Sequence, residues 1–188
     1  MPDAELEFPV PPLADDVVLL RPWRETDVAA QLEAFADACF QLHSDWAPAN
    51  EAEAREHRAA AERARRRGEH ISFALVEPGD HDVVLGGASL SNVDLERGTA
   101  AVGYWLAPGA RGRGVATHAV RLLARWAFEL GVARLELTCG PDNLASQRVA
   151  ERCGFVREGV LRSHLPFKGG RRDTVVFSLL AGDRARTV

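Results

Sequence analysis

Between Tyr104 and Ala116 the chain passes from strand to helix through Tyr-Trp-Leu-Ala-Pro-Gly-Ala-Arg-Gly-Arg-Gly-Val-Ala, and no other stretch constrains the fold as much. Residues 100–106 read as a strand. Residues 114–130 carry Val115, Ala119, Leu122, Leu123, Trp126 and Leu130 on one face at helical spacing, which marks an amphipathic helix stopped by Gly131. A helix N-terminus leaves backbone N–H groups unpaired and carries a partial positive charge, so it accepts phosphate well. Glycines at 112 and 114 remove side chains that would hold an anion away, and Arg111 and Arg113 add cationic donors. A pyrophosphate is the natural guest of such a loop. The same glycines, with Gly109, are also compatible with nothing more than a tight turn. Neither G-x-x-x-x-G-K-[ST] nor G-x-G-x-x-G occurs in the segment.

Around this junction the pattern is that of a mixed α/β chain. Residues 1–14 read as a loose, proline-rich arm, and 17–21 as a first strand ended by Pro22. Thr26 or Asp27 caps a helix bearing Val28, Leu32, Phe35 and Cys39, and a second helix runs from 51 to 67, closed by Gly68. Its mixed charges predict a solvated face. Three strands then meander: 71–77, 83–92 and 100–106. Beyond the glycine loop and its helix, 134–139 alternates as a strand and Asn143 caps a shorter helix ending at Gly154. Residues 155–165 and 173–180 form a hairpin turned by Lys-Gly-Gly. With no internal repeat or linker, the expected organisation is a flexible arm (1–14), one domain (15–182) and a tail (183–188).

The bulk composition narrows the function classes. A chain of 188 residues suits one domain and buries roughly 70% of its unfolded surface. A net charge of -4 gives no reason to expect nucleic acid. No run approaches the roughly 18 apolar residues of a membrane span, and the acidic start does not resemble a signal peptide. Cys39, Cys139 and Cys153 lack metal or redox spacing, so reduced thiols in a cytoplasmic protein without a metal are the expectation.

The order of elements and several motifs resemble the GNAT acetyltransferase superfamily. Its cofactor motif, [Q/R]-x-x-G-x-[G/A], is met by Arg111, Gly114 and Ala116. R-P-W-R-E-T-D, V-G-Y-W-L, N-L-A-S-Q-R-V-A-E-R-C-G-F-V-R-E-G and R-R-D-T-V-V-F further resemble the ribosomal-protein alanine N-terminal acetyltransferase branch. The resemblance implies a mostly antiparallel sheet of about seven strands with about four helices. It implies a bulge that splays strand 100–106 from the parallel strand 134–139, with acetyl-CoA as cosubstrate in the gap. Pantetheine would pair with backbone near Leu106 and Ala107, and the pyrophosphate would rest on the amides of Gly112, Arg113, Gly114, Val115 and Ala116, continuing to Thr117. Asn143 would touch the pantetheine arm, and Arg152 could reach a CoA phosphate.

Acyl transfer to an amine needs a neutral nucleophile, a stabilised oxyanion and an outlet for the thiolate. By resemblance the backbone N–H near Leu106 is the oxyanion donor, a role worth roughly 3–4 kcal/mol. Ser146 is the candidate acid. The tyrosine that many relatives use on a later helix has no counterpart, since the one tyrosine, Tyr104, lies in a strand. For a base the resemblance points to two positions, occupied here by Ala101 and Leu165. His164 is then preferred over Glu158, Asp94 and His43, all of which also read as surface residues. Asn143 also reads as a plain cap, Ser146 as a solvated residue, and Arg152 as a surface arginine.

Trp23, Trp46 and the segment His43-Ser-Asp-Trp46 could line the acceptor pocket or simply pack. The expected acceptor is a protein or peptide N-terminal α-amine, since an α-amine near pKa 7.7–8.0 needs little help from a base. The alternatives are a small-molecule amine (polyamine, amino acid or antibiotic) or a non-catalytic acyl-CoA-binding module; a Rossmann-type nucleotide domain fits the meander poorly. Superfamily members are often dimers, so the resemblance allows a homodimer.

Overall fold

The computed structural model describes the backbone of residues 5–186 and the side chains of residues 5–183. Seven strands form one sheet: β1 (Leu19–Arg21), β2 (Ile71–Glu77), β3 (Asp80–Asp94), β4 (Thr99–Leu106), β5 (Arg134–Cys139), β6 (Val156–Phe167) and β7 (Gly170–Leu180). Their order is β1-β2-β3-β4-β5-β7-β6. Every neighbouring pair is antiparallel except β4 and β5, which run parallel. Helices α1 (Val28–Ala36), α2 (Ala38–His43) and α3 (Glu51–Arg66) precede the meander, α4 (Val115–Glu129) follows β4, and α5 (Leu144–Arg152) follows β5. Among the described residues no helix is long and apolar enough to cross a membrane.

The core lies where α4 packs its apolar stripe against one face of the sheet. Phe73, Leu75, Leu90, Leu123, Leu135 and Phe177 are buried there, and Trp126 meets Phe73 edge-on at 5.7 Å. The opposite face of the meander is small and polar. Ser72 pairs with Ser89 and Ser89 with Gly103 in register, so all three share a face, and α1 and α3 pack over it.

Where the sequence predicts one helix from 28 to 39, the structure has two. Asp37 leaves the helical region (φ -65, ψ 134), and its carboxylate accepts the Phe40 N–H at 3.1 Å, capping α2. Asp27 does not cap α1 with its side chain. It is buried in a two-pronged pair with Arg21 (2.8 and 2.9 Å) and accepts the Arg24 N–H at 2.6 Å. R-P-W-R-E-T-D is thus a structural clamp between β1 and the first helix.

The expected loose arm is packed over residues 5–14. Leu6 is 3% exposed, its N–H donates to the Arg65 carbonyl at 3.1 Å, and Phe8 meets Phe73 edge-on at 5.4 Å. Hydrophobic side chains separated by prolines read as a tether in sequence, but here they complete the core. Residues 1–4 and the last two of the expected tail lie outside the described residues. At the other end, the β6–β7 hairpin reaches the helical layer. The Lys168 N–H donates to the Asp45 carboxylate (2.8 Å) and Lys168 Nζ to the Gln41 carbonyl (2.6 Å). The Leu6→Ala variant should lose about 2–4 kcal/mol of stability in urea unfolding, as a core cavity does and an arm truncation does not.

Candidate functional site

β4 and β5 are joined only by Thr99–Arg134, Ala100–Leu135 and Ala101–Glu136. From Val102 to Leu106 the β5-facing edge of β4 has no strand partner, and a cleft of 860 Å³ runs through the gap. The expected bulge is not in β4, which keeps unbroken register with β3 from Ala101 to Leu106. The extra residue is Leu85 of β3, which slips out between the Leu75–Gly86 and Val76–Val84 pairs, beside the β4 terminus. β5 leaves β4 to pair with β7 along its whole length.

On one side of the sheet the cleft ends at the glycine loop. Gly112 (φ +75) and Gly114 (φ +82) are both left-handed, and Gly114 is the N-cap of α4 with no side-chain cap. A Cβ at Gly112 would meet nothing within 4 Å, so the backbone conformation, not crowding, asks for glycine there. Such a turn leading into an uncapped helix start aims backbone N–H groups at an anion.

Arg111, Gly112, Gly114, Val115, Ala116 and Thr117 line the cleft, as do Leu106, Asn143, Ser146 and Arg152. Ala107 and Arg113 do not: the Ala107 N–H donates to the Leu85 carbonyl (2.9 Å) and Arg113 pairs with Glu77 (2.7 Å). The Arg111 guanidinium is also occupied, donating to the Asp37 carboxylate at 2.6 Å and the Leu106 carbonyl at 3.3 Å. That guanidinium, with the Phe40 N–H, holds the Asp37 carboxyl below its usual range.

At the start of α5, Asn143 Oδ1 accepts the Ser146 N–H at 3.1 Å and so caps the helix. Tyr104 Oη donates to Ser146 Oγ at 3.2 Å, and both residues line the cleft. Although Tyr104 lies in a strand, alternation along β4 turns its side chain toward α5 and Ser146. Burial pushes the phenol up to about 12, so it stays a proton donor. Burial likewise raises the Cys139 thiol and takes Cys153 to about 11, keeping both as thiols.

The other side of the cleft lies under α1–α3 and is aromatic. Trp23 stacks on Trp105 (6.0 Å), Phe35 meets Trp105 edge-on (4.8 Å), and Trp46 tilts over His57 (4.2 Å). His43, His57 and His70 all line this side. Burial lowers the pKa of His57, and burial with the nearby His57 lowers that of His70. Among the described residues lining the cleft there is no Asp or Glu, whereas Arg58, Arg111, Arg148 and Arg152 supply positive charge.

The sequence model of the family described as Acetyltransferase (GNAT) domain matches residues 18–156. The chain belongs to the GNAT acetyltransferase family. It is 37% identical over 119 residues to the probable N-acetyltransferase YjcK of Bacillus subtilis, covering 61% of this chain and 64% of that protein. It is 33% identical over 82 residues to the ribosomal-protein-serine acetyltransferase of Escherichia coli, covering 43% and 46%. The chain thus spans less than two thirds of the length of these curated relatives. Among solved structures it is similar to Mycobacterium smegmatis RimJ in complex with CoA-disulfide, with TM-score 0.79, 25% identity and coverage of 88% and 83%.

Within this GNAT chain the proposed bases separate clearly. His43 lines the cleft, with Nδ1 3.9 Å from an Asp142 carboxylate oxygen. His164 is exposed on the edge strand β6 and does not line the cleft. Glu158 is bound by Arg134 and Ser178, which bring it down to about 2, and Asp94 pairs with Arg97 at 3.6 Å. The helix expected to be solvated, α3, lends His57, Arg58 and Ala61 to the cleft. Its signal was the stripe Ala54, Arg58, Ala61, Arg65 at helical spacing, hidden by the surrounding charges.

Two outcomes follow for a GNAT site built this way. Gly114→Glu should weaken CoA binding by at least roughly tenfold in calorimetry, since it sets like charge and bulk at the anion cradle. It should also lower Tm by several degrees, because a side chain at φ +82 strains the backbone by about 1–2 kcal/mol. Because burial, with the neighbouring His57, holds His70 below its ordinary value when folded, the unfolded chain binds more protons in the window between the two values. Stability should therefore be full above about pH 6.5 and fall as pH drops through the folded value; urea unfolding should show a flatter acid slope in His70→Gln.

Proposed function

We propose that the protein is an acetyl-CoA-dependent N-acetyltransferase that modifies the α-amine of a protein or peptide N-terminus. The observation that carries this reading is the cleft passing through the parted β4–β5 edge, with an uncapped helix start at one end and an aromatic chamber at the other. The left-handed glycines and free cap fit a diphosphate, so Gly112–Ala116 would hold the CoA diphosphate, with Asn143 and Arg152 along the rest of the molecule. The thioester supplies an activated acetyl group.

The chain's residues then divide the work. The free edge of β4 near Leu106 offers backbone N–H to a developing oxyanion. The amine arrives from the α1–α3 side, forms the N–C bond as the C–S bond breaks, and gives up a proton. Ser146 donates a proton toward the departing sulfur and recovers one from solvent, while Tyr104, whose hydroxyl donates to Ser146 Oγ, stays protonated and orients it. The amine's proton goes to water or to an imidazole of the chamber, since no carboxylate lines it. An α-amine near pKa 7.7–8.0 is partly neutral at pH 7.5, whereas a lysine near 10.4 is not, and this favours the N-terminal acceptor. The family resemblance to a ribosomal-protein-serine acetyltransferase supports the same choice. Three free cysteines suit a reducing cytoplasm.

The test is thiol release from acetyl-CoA with peptides, polyamines and free amino acids, followed by mass spectrometry of the product. Acetylation at the peptide α-amine with internal lysines untouched is expected. Turnover on small amines alone would reject the acceptor, and CoA binding without any turnover would reject catalysis. Ser146→Ala should lower kcat by roughly tenfold while CoA affinity stays within a few-fold, a modest effect because a thiol near pKa 8.5 leaves fairly well unaided. Tyr104→Phe should show a smaller loss in the same direction.

A further inference from the structure

Three buried side-chain atoms have no hydrogen-bond partner among the described residues: Gln31 Oε1, His43 Nδ1 and Arg58 Nη1. All three belong to residues that line the cleft, and all three sit on the helical roof formed by α1, α2 and α3. Folded proteins leave few such atoms, because each forfeits its hydration for nothing. Their confinement to one chamber points to a polar group that arrives with the acceptor. Gln31 is only 6% exposed, so solvent does not satisfy it.

The chemistry of that group follows from the charges around it. Arg58 is held in place by Nη2 donating to the Arg24 carbonyl at 2.6 Å, with its guanidinium 6.0 Å from the Trp23 ring. Glu25 and Asp27 feel its charge from the far side, away from the cleft, whose own lining among the described residues carries no carboxylate. A guanidinium N–H seeks an oxygen acceptor and repels a second cation. The orphaned atom of Gln31, on the neighbouring helix, is an acceptor, so it would take a peptide N–H of the acceptor and not the carboxylate itself. The floor below is hydroxyl and bare backbone from Ser72, Ser89 and Gly103.

We infer that Arg58, assisted by Gln31, selects acceptors bearing a carboxylate beside the reacting amine, namely peptide N-termini with an acidic residue next to the first, and rejects polycationic amines. This inference rests on the acetyltransferase reading above.

Three peptides differing only at the second residue, Asp, Asn or Lys, together with spermidine, form the test panel. The wild type should favour Asp over Lys by roughly tenfold or more in kcat/KM, and spermidine should be the poorest acceptor. Arg58→Gln, which keeps a donor for the Arg24 carbonyl, should erase the Asp preference through KM, with acetyl-CoA affinity unchanged. Arg58→Lys should restore part of it. Gln31→Glu should shift preference toward the Lys peptide, a gain that misfolding does not produce. Equal wild-type turnover of all three peptides, or a uniform loss in Arg58→Gln, overturns the inference while leaving the acetyltransferase reading intact. Absence of turnover on every acceptor defeats both.

Discussion

Three backbone pairings hold β4 to β5, and beyond Ala101 they stop. Everything distinctive in the molecule depends on that parting. A closed sheet would separate the glycine loop from the aromatic chamber and leave each as a surface dent. The open edge lets one cleft pass between them, beside the terminus of β4. The sheet survives the break because β5 takes β7 as its partner along all six residues. The meander survives because β4 keeps its register with β3 through Leu106. The opening costs unpaired backbone groups along one edge, and those are the groups that a bound thioester can use.

The two halves of the cleft are tied by Arg111. It stands in the glycine loop, yet its guanidinium spans the Leu106 carbonyl and the carboxylate that caps α2. A residue that reads as a phosphate ligand in sequence therefore braces the loop against the helical roof. Among the described residues the cleft lining itself carries arginines and no carboxylate, although Asp37 just behind it offsets Arg111. That balance suits an anionic cosubstrate on one side. On the other, the titratable groups of the lining are the imidazoles of His43, His57 and His70.

The sheet was legible because its strands are short apolar runs separated by turn residues. The predicted 71–77 and 134–139 coincide with β2 and β5, and the remaining strands differ by a few residues at their ends. The glycine loop was legible because glycines 112 and 114 stand bare at the start of an amphipathic helix, and the structure adds that both are left-handed. Less visible were features set by tertiary contact. The helix break at Asp37 depends on a carboxylate turning back to Phe40, and Ala36-Asp37-Ala38 gives little warning of it. Leu6 and Phe8 looked like an arm because their partners, Arg65 and Phe73, lie some sixty residues away. Tyr104 was set aside because no pattern within β4 says that α5 brings Ser146 beneath it. The same reason hid the cleft-facing stripe of α3, whose flanking charges are solvated.

The β6–β7 hairpin ties the far edge of the sheet to the helical layer. Its tip grips Gln41 and Asp45 through Lys168, at the point where α2 gives way to the Trp46 loop. The β6–β7 ribbon therefore braces the segment that carries His43 and Trp46 into the cleft wall. A change in the length of that ribbon would bear on the helical wall of the cleft and not on the glycine loop, which lies on the other side of the sheet.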